Sequence, residues 1–131
     1  MTVPKLETKV EPSALKEIEA RFEPAVLKAN KKNEAVMYLS LTSDGDKKVY
    51  WCECDIVVKP PLSLAHDKEL NLGRTRVGIL SHKKKIEKQV RLFTRPNNFS
   101  DTYPIDITVY LYDEDGAIAE RIEHKESIKC E

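Results

Sequence analysis

Apolar and polar side chains alternate along most of the chain from residue 35 onward, the period of a strand with one buried face. The pattern is clearest over residues 99–130. Four apolar residues alternate there with four polar or aromatic ones: Ile105, Ile107, Val109 and Leu111 against Asp106, Thr108, Tyr110 and Tyr112. A turn ending in Gly116 follows, and evenly spaced Ile118, Ile122, Ile128 and Cys130 are predicted to share one face of a return strand. The segment is therefore predicted to form a long β-hairpin.

Shorter segments upstream repeat this alternation. Strands are predicted over 35–42, from about residue 49 to 58, over 74–80 and over 86–92. Gly78 predicts a β-bulge in the third of these. The connection between the second and third is predicted to cross between two sheets, with Leu62, Leu64, Leu70 and Leu72 packing along it. The pattern predicts an all-β fold, an antiparallel β-sandwich of seven or eight strands.

The N-terminal segment leaves two interpretations open. Residues 1–12 are polar and show no period, so they are predicted to form a loose arm. Ser13 could cap a short helix with Leu15, Ile18 and Phe22 on one face, an interpretation slightly preferred to an edge strand through residues 18–22. The chain is accordingly divided into an arm or short helix over 1–18 and a sandwich domain over 19–131. Pro24 predicts that residues 22–29 form an edge strand.

A short motif before the last hairpin is typical of one class of sandwich. In Asp101-Thr102-Tyr103-Pro104-Ile105, a tyrosine lies two residues before the first buried position of its strand. This resembles the tyrosine corner of immunoglobulin-like folds, whose hydroxyl bonds to upstream backbone. Together with the strand over 35–42 and the turns at 43–45 and 113–116, the chain resembles immunoglobulin-like domains of the CARDB and adhesion-module kind. That resemblance implies a binding or spacer module.

Composition limits the class of protein. The chain has 131 residues, with 22 basic and 22 acidic side chains, so its net charge of zero argues against nucleic-acid binding through bulk charge. No apolar run is long enough to span a membrane, and no signal peptide begins the chain, so a cytoplasmic location is expected. Abundant Lys and Glu with a single glutamine are typical of proteins from hot environments.

Three cysteines, Cys52, Cys54 and Cys130, are expected to be reduced and buried. Cys52 and Cys54 lie two residues apart in a strand, too far for a mutual disulfide, so any bridge would join one of them to Cys130. Zinc binding by these thiols is the weaker interpretation, because zinc-binding cysteine pairs usually lie on turns. The acidic turn over 113–115 is interpreted as a solvated hairpin tip in preference to a calcium site. We predict no catalytic, cofactor-binding or metal-binding residues.

Charge is distributed unevenly along the sequence. Residues 73–95 carry eight basic side chains against one acidic side chain, whereas residues 99–131 carry nine acidic against three basic. Cross-strand ion pairs on solvated faces would explain this pattern. The alternative is a basic interaction face for an acidic partner, formed by Arg74, Arg76, Lys83, Lys84, Lys85, Lys88 and Arg91.

Three aromatic residues are predicted on the polar side of their strands, where they could anchor a partner: Trp51, Tyr110 and Tyr112. They could equally form cross-strand pairs that support the sheet. The leading hypothesis is a non-enzymatic interaction module for an unknown protein partner, with a homodimer through a sheet edge as one arrangement. Nucleic-acid or anion binding through the basic residues is the alternative, although that segment lacks interleaved aromatics.

Overall fold

The computed structural model describes residues 14–44, 48–81 and 84–131, and all regular secondary structure in these ranges is β. These ranges contain nine strands: β1 Leu15–Glu23, β2 Val26–Leu27, β3 Asn33–Ser43, β4 Tyr50–Val58, β5 Leu62–Ser63, β6 Leu72–Leu80, β7 Lys85–Thr94, β8 Asp101–Tyr112 and β9 Ile118–Cys130. Seven of them have at least nine residues and two have only two. The predicted all-β fold is confirmed.

The strands form two sheets that pack face to face. The large sheet has the order β2–β9–β8–β4–β6, and the small sheet has the order β1–β3–β7–β5. All neighbours are antiparallel except β2 and β9, which are parallel. Consecutive strands β6 and β7 therefore belong to different sheets, a feature that decides where the basic residues lie.

The core is the set of inward side chains that the alternation predicts. Met37 and Leu39 of the small sheet are completely buried, as is Ile105 of the large sheet. Burial of apolar area stabilises this interface by about 25 cal/mol per Å². Cys52 and Cys54 also point inward and are free thiols, as is buried Cys130. Burial raises the pKa of both Cys52 and Cys54 to about 12, so these thiols stay protonated.

The preferred helix near the N-terminus is wrong. Residues Leu15–Glu23 form strand β1, which pairs antiparallel with β3 from Leu15 opposite Ser43 to Glu23 opposite Val36. The spacing of Leu15, Ile18 and Phe22 fits one face of a helix, but Ile18 and Phe22 also fit one face of a strand. The strand forms because its backbone pairs with β3. The sheet thus begins before the predicted boundary at residue 19. The arm over 1–12 lies outside the described residues.

The long hairpin is confirmed, with one change in its return strand. Strands β8 and β9 pair from Asp101 opposite Cys130 to Tyr112 opposite Ile118. A bulge between Ile118 and Glu120 reverses the alternation, so Ile118 lies on the outer face while Ile122 points inward. The prediction that Ile118 shares a face with Ile122 is therefore wrong. Gly116 takes φ +82° in the turn, as its position predicts.

The tyrosine corner forms as its sequence predicts. Tyr103 is buried, and its hydroxyl donates a hydrogen bond to the carbonyl oxygen of Phe99. The same hydroxyl accepts a hydrogen bond from the Phe99 backbone N–H at 3.2 Å. The aromatic ring of Phe99 also packs edge-on against Tyr103, with centroids 5.9 Å apart. The start of β8 is fixed by these contacts.

Strand β6 is an edge strand of the large sheet and contains the predicted bulge. Cys52 lies opposite Gly78 and Glu53 lies opposite Arg76, so Val77 is the extra residue. Gly78 has φ +141°, a conformation that other residues rarely adopt. The connection before β6 enters the small sheet as β5 and returns, which agrees with the predicted crossover. Two of its four predicted packing leucines, Leu70 and Leu72, are nevertheless exposed.

Candidate functional site

The basic residues that cluster in the sequence lie on separate surfaces of the fold. Two positions, Arg74 and Arg76, project from the outer face of the large sheet, where they oppose Asp55 and Glu53. The others lie elsewhere: Lys85 and Arg91 on the outer face of the small sheet, Lys88 on its inner face opposite Leu39, and Lys84 in the loop before β7. Lys83 lies outside the described residues. The described members of the set do not form one basic face.

Four of these cations have carboxylate partners on another strand of the same sheet. Arg74 Nε and Nη2 donate to both carboxylate oxygens of Asp55, at 2.6 and 2.9 Å. The other three pairs are looser, between 3.8 and 4.0 Å: Arg76–Glu53, Lys85–Glu19 and Arg91–Glu34. Exposed pairs of this kind contribute little to stability. Their geometry favours the interpretation as cross-strand pairs on solvated faces.

The predicted aromatic anchors do come together, on the outer face of the large sheet. Trp51 and Tyr112 are directly opposite each other on β4 and β8. Tyr110 stacks on Tyr112, with ring centroids 6.4 Å apart. Arg74 lies over Tyr110 at 5.0 Å and Arg76 over Trp51 at 5.5 Å, both within cation–π range. The structure thus unites the aromatic set with two residues of the basic set.

An apolar row crosses this face from one strand to the next. It comprises Ile79 of β6, Trp51 of β4, Tyr112 of β8 and Ile118 of β9, each opposite its neighbour in the register. Ile79 and Ile118 are 55% and 57% exposed, and Trp51 is 37% exposed. The bulge in β9 brings Ile118 into the row. We refer to these four residues as the apolar row.

A polar network lies beside the apolar row. The Arg74 guanidinium holds the pKa of Asp55 below its usual range, and a hydrogen bond from Tyr110 to Asp55 acts in the same direction. Arg121 donates to Glu123 at 2.7 Å, and this carboxylate raises the pKa of Arg121. These charged groups are already paired, so they form an ordered polar border to the apolar row.

A second candidate site lies at one end of the sandwich, where three loops surround a cavity of about 270 Å³. The loops are the β2–β3 turn, the connection between β4 and β6, and the β7–β8 loop. Its apolar wall includes Pro60, Pro61, Phe93 and Phe99, and its charged rim comprises Lys32, His66, Asp67, Lys68, Glu69 and Arg95. We refer to this space as the loop-end cavity.

Two buried polar side chains hold the loops in place. Ser63 accepts hydrogen bonds from the backbone N–H groups of Ala65 and Leu70, at 3.2 and 3.0 Å, and its hydroxyl lies 2.5 Å from the Lys68 carbonyl. Asn98 joins the other two loops through several hydrogen bonds. Its amide group donates to Lys31 O at 2.5 Å, Arg95 O at 2.7 Å and Thr94 Oγ1 at 3.0 Å, and its oxygen accepts from Asn30 N at 2.9 Å.

Sequence reasoning missed this cavity. Its cations come from residues 32, 68 and 95, which no motif or spacing relates. The only usable signal was the length of the connection after Pro60-Pro61, because long connections often carry binding residues.

Comparison with solved structures identifies the fold. One chain of the complex between Zinc 2-glycoprotein and Prolactin inducible protein from human seminal plasma matches with a TM-score of 0.55 and 16% identity, covering 89% of this chain and 96% of that one. The fold is an immunoglobulin-like β-sandwich. A CARDB domain from Pyrococcus furiosus, in complex with di-metal ions, matches with a TM-score of 0.45 and 15% identity, covering 97% and 100% of the two chains.

No family model matches the chain, and a search of curated protein sequences gives no match. At these identities the structural matches show the fold alone. Within residues 14–44, 48–81 and 84–131, no helix has the length and apolar character needed to cross a bilayer.

Proposed function

We propose that this immunoglobulin-like domain is a non-enzymatic interaction module that binds a protein partner through the outer face of its large sheet. The apolar row is the observation that carries this proposal. Isolated exposed apolar residues are common on protein surfaces, but here three of them are aligned across the sheet with half-buried Tyr112 and form a continuous patch. Trp and Tyr are also the residue types most enriched among the dominant residues of interfaces.

The surroundings of the apolar row support the same function. Protein interfaces usually combine an apolar centre with a polar, solvated rim. Here the ion pairs Arg76–Glu53 and Arg121–Glu123 lie beside the row. The Trp51 indole N–H donates to Glu53 at 3.1 Å, which restrains the ring before a partner arrives. A restrained side chain loses less conformational entropy on binding.

Nucleic-acid or anion binding through the basic residues has less support. Counterion release requires several cations that can reach the same phosphate backbone. Arg74 and Lys85 lie on opposite outer faces, and both already face carboxylates. Binding there would have to displace existing pairs on one face at a time.

Site-specific photo-crosslinking in extract of the native host tests the proposed interface. A photoreactive amino acid would replace Ile79 in the apolar row, and in a control protein it would replace Gln89, which is exposed on the outer face of the small sheet. We expect a discrete crosslinked protein from position 79 and none from position 89. Adding the Trp51→Ser substitution should abolish the product.

Two results would contradict the proposed interface: equal products from positions 79 and 89, or a product from position 79 that survives Trp51→Ser. Absence of any product at position 79 would also refute it. A crosslinked product containing two copies of this chain would identify the partner as a second copy. Circular dichroism of each variant verifies that the β-structure is retained.

A further inference from the structure

The cationic groups around the loop-end cavity divide into paired and unpaired sets. Lys32 and His66 both contact the carboxylate of Asp67, at 3.2 and 3.1 Å. Lys68 and Arg95 have no side-chain hydrogen bond or ion pair to any residue that the structure describes, and both are exposed. Lys68 and Arg95 are therefore available to bind an anion, with Glu69 and the already paired carboxylate of Asp67 as the acidic groups at the rim.

The cavity wall below this rim is apolar and aromatic. Phe93 is almost fully buried and packs edge-on against His66, with ring centroids 5.5 Å apart. Phe99, which is 55% exposed, also lines the cavity, as do Pro60 and Pro61. Binding pockets for small ligands typically combine such an apolar wall with a few polar groups that fix orientation.

We propose that the loop-end cavity binds a carboxylate group attached to an apolar or aromatic body, with the carboxylate held by Arg95 and Lys68 and the body against Phe93 and Phe99. Guanidinium groups suit carboxylates because two parallel N–H donors match the two oxygens. A volume of about 270 Å³ admits a group of one or two side chains. The ligand is a small aromatic acid or the C-terminal residue of a peptide, which share this chemistry.

The charge arrangement disfavours a cationic ligand. The Asp67 carboxylate, which would attract a cation, already pairs with Lys32 and His66. The contact with Lys32 holds the pKa of Asp67 below its usual range. A cation would also be repelled by Lys68 and Arg95, which line the same cavity. The site thus selects a negative group on electrostatic grounds.

The cavity needs little rearrangement to accept a ligand. Ser63 fixes the connection that carries Lys68, and Asn98 accepts and donates the hydrogen bonds that fix the loop carrying Arg95. Loops that are ordered before binding lose less entropy when the ligand arrives. This preorganisation favours ligand binding in the loop-end cavity over the exposed turn at residues 114–116.

Nuclear magnetic resonance titration of the whole chain tests the proposal with matched probes. The first probe is 3-phenylpropionate, and the second is 3-phenylpropionamide, which has the same body without the charge. We expect saturable amide shifts around the cavity with the acid, and binding of the neutral amide weaker by about tenfold, because charge-assisted hydrogen bonds are lost. Two peptides ending in phenylalanine, one with a free carboxylate and one amidated, distinguish a chain terminus from a small acid.

Variants assign the binding to named residues. Arg95→Ala and Lys68→Ala should each weaken binding of 3-phenylpropionate by about fivefold or more and leave the amide probe unchanged. Arg91→Ala, on the outer face of the small sheet, is the matched control and should have no effect. All three side chains are exposed, so the variants should fold, which their spectra verify.

Several outcomes would overturn the proposal. Equal affinity for the acid and the amide would show that the cations do not contribute, and an equal loss in Arg91→Ala would show that the attraction is non-specific. Absence of saturation by about 10 mM acid would also refute the site. The apolar row lies on a different surface, so either result leaves the crosslinking experiment at Ile79 unaffected.

Discussion

Replacement of Asn98 by alanine should strongly destabilise the fold, because this side chain joins two loops from the inside. Asn98 is 1% exposed, and its hydrogen bond to Thr94 Oγ1 is buried, whereas those with Asn30, Lys31 and Arg95 are partly buried. Alanine would remove the donors to Lys31 O, Arg95 O and Thr94 Oγ1, and the acceptor for Asn30 N. A polar group that is buried in the folded state and loses its hydrogen-bond partner destabilises that state, because it has left water without a compensating bond.

The size of the effect follows from these contacts. The two amide hydrogens and the side-chain oxygen of Asn98 supply about three net hydrogen bonds, each contributing about 1 kcal/mol, so the free energy of unfolding should fall by about 3 kcal/mol. For 131 residues the unfolding entropy is about 0.28 kcal/mol/K. The midpoint of thermal unfolding should therefore fall by about 11 °C.

Thermal and urea unfolding followed by circular dichroism would measure this difference. The adjacent Asn97 is the matched control, since it is exposed and makes no side-chain hydrogen bond with the described residues. Asn97→Ala should change the unfolding free energy by less than about 0.5 kcal/mol. If the two variants unfold within about 2 °C of each other, Asn98 does not hold the loops together in the way that its contacts indicate.

Three further predictions concern other parts of the sandwich. Cys52 and Cys54 should resist iodoacetamide at about pH 8 in the folded protein and react with it in urea, because burial keeps them as thiols and the thiolate is the reactive form. Rapid labelling of the folded chain would contradict this prediction. Tyr103→Phe should lower the free energy of unfolding by about 1–2 kcal/mol in urea titrations, since the partly buried backbone N–H and C=O of Phe99 lose their partner; an unchanged midpoint would oppose it. Arg74→Ala should raise the pKa of Asp55 toward its usual value in a carboxyl NMR titration. The contribution of this pair to stability is present above about pH 4, the unfolded pKa, and is lost as pH falls through the lower folded pKa.

Local patterns in the sequence predict most of the sheet structure. Alternation marks the faces of β3, β4 and β8 because each residue there follows the regular pleat. Tyr103 and Gly78 are also predictable, because a corner and a bulge require particular side chains or backbone angles. Ile118 could not be placed correctly, since the bulge that reverses its direction leaves no distinct residue signal.

The spatial grouping of charges could not be predicted from their order along the chain. Arg76 and Lys85 are nine positions apart, yet β6 and β7 lie in different sheets and turn their polar sides away from each other. A count of charges over residues 73–95 therefore sums residues that lie on several separate surfaces. Lys32 and Arg95 show the opposite effect, because distant loops bring them to one cavity.

The extra residue in β6 also limits how far the large sheet can grow. A strand added beside β6 would find regular donors and acceptors over Leu72–Arg76 and would lose register at Val77. Cross-β stacking needs a longer, flatter template than these five residues provide. The irregularity at Gly78 therefore hinders fibrous self-assembly through this edge of the large sheet.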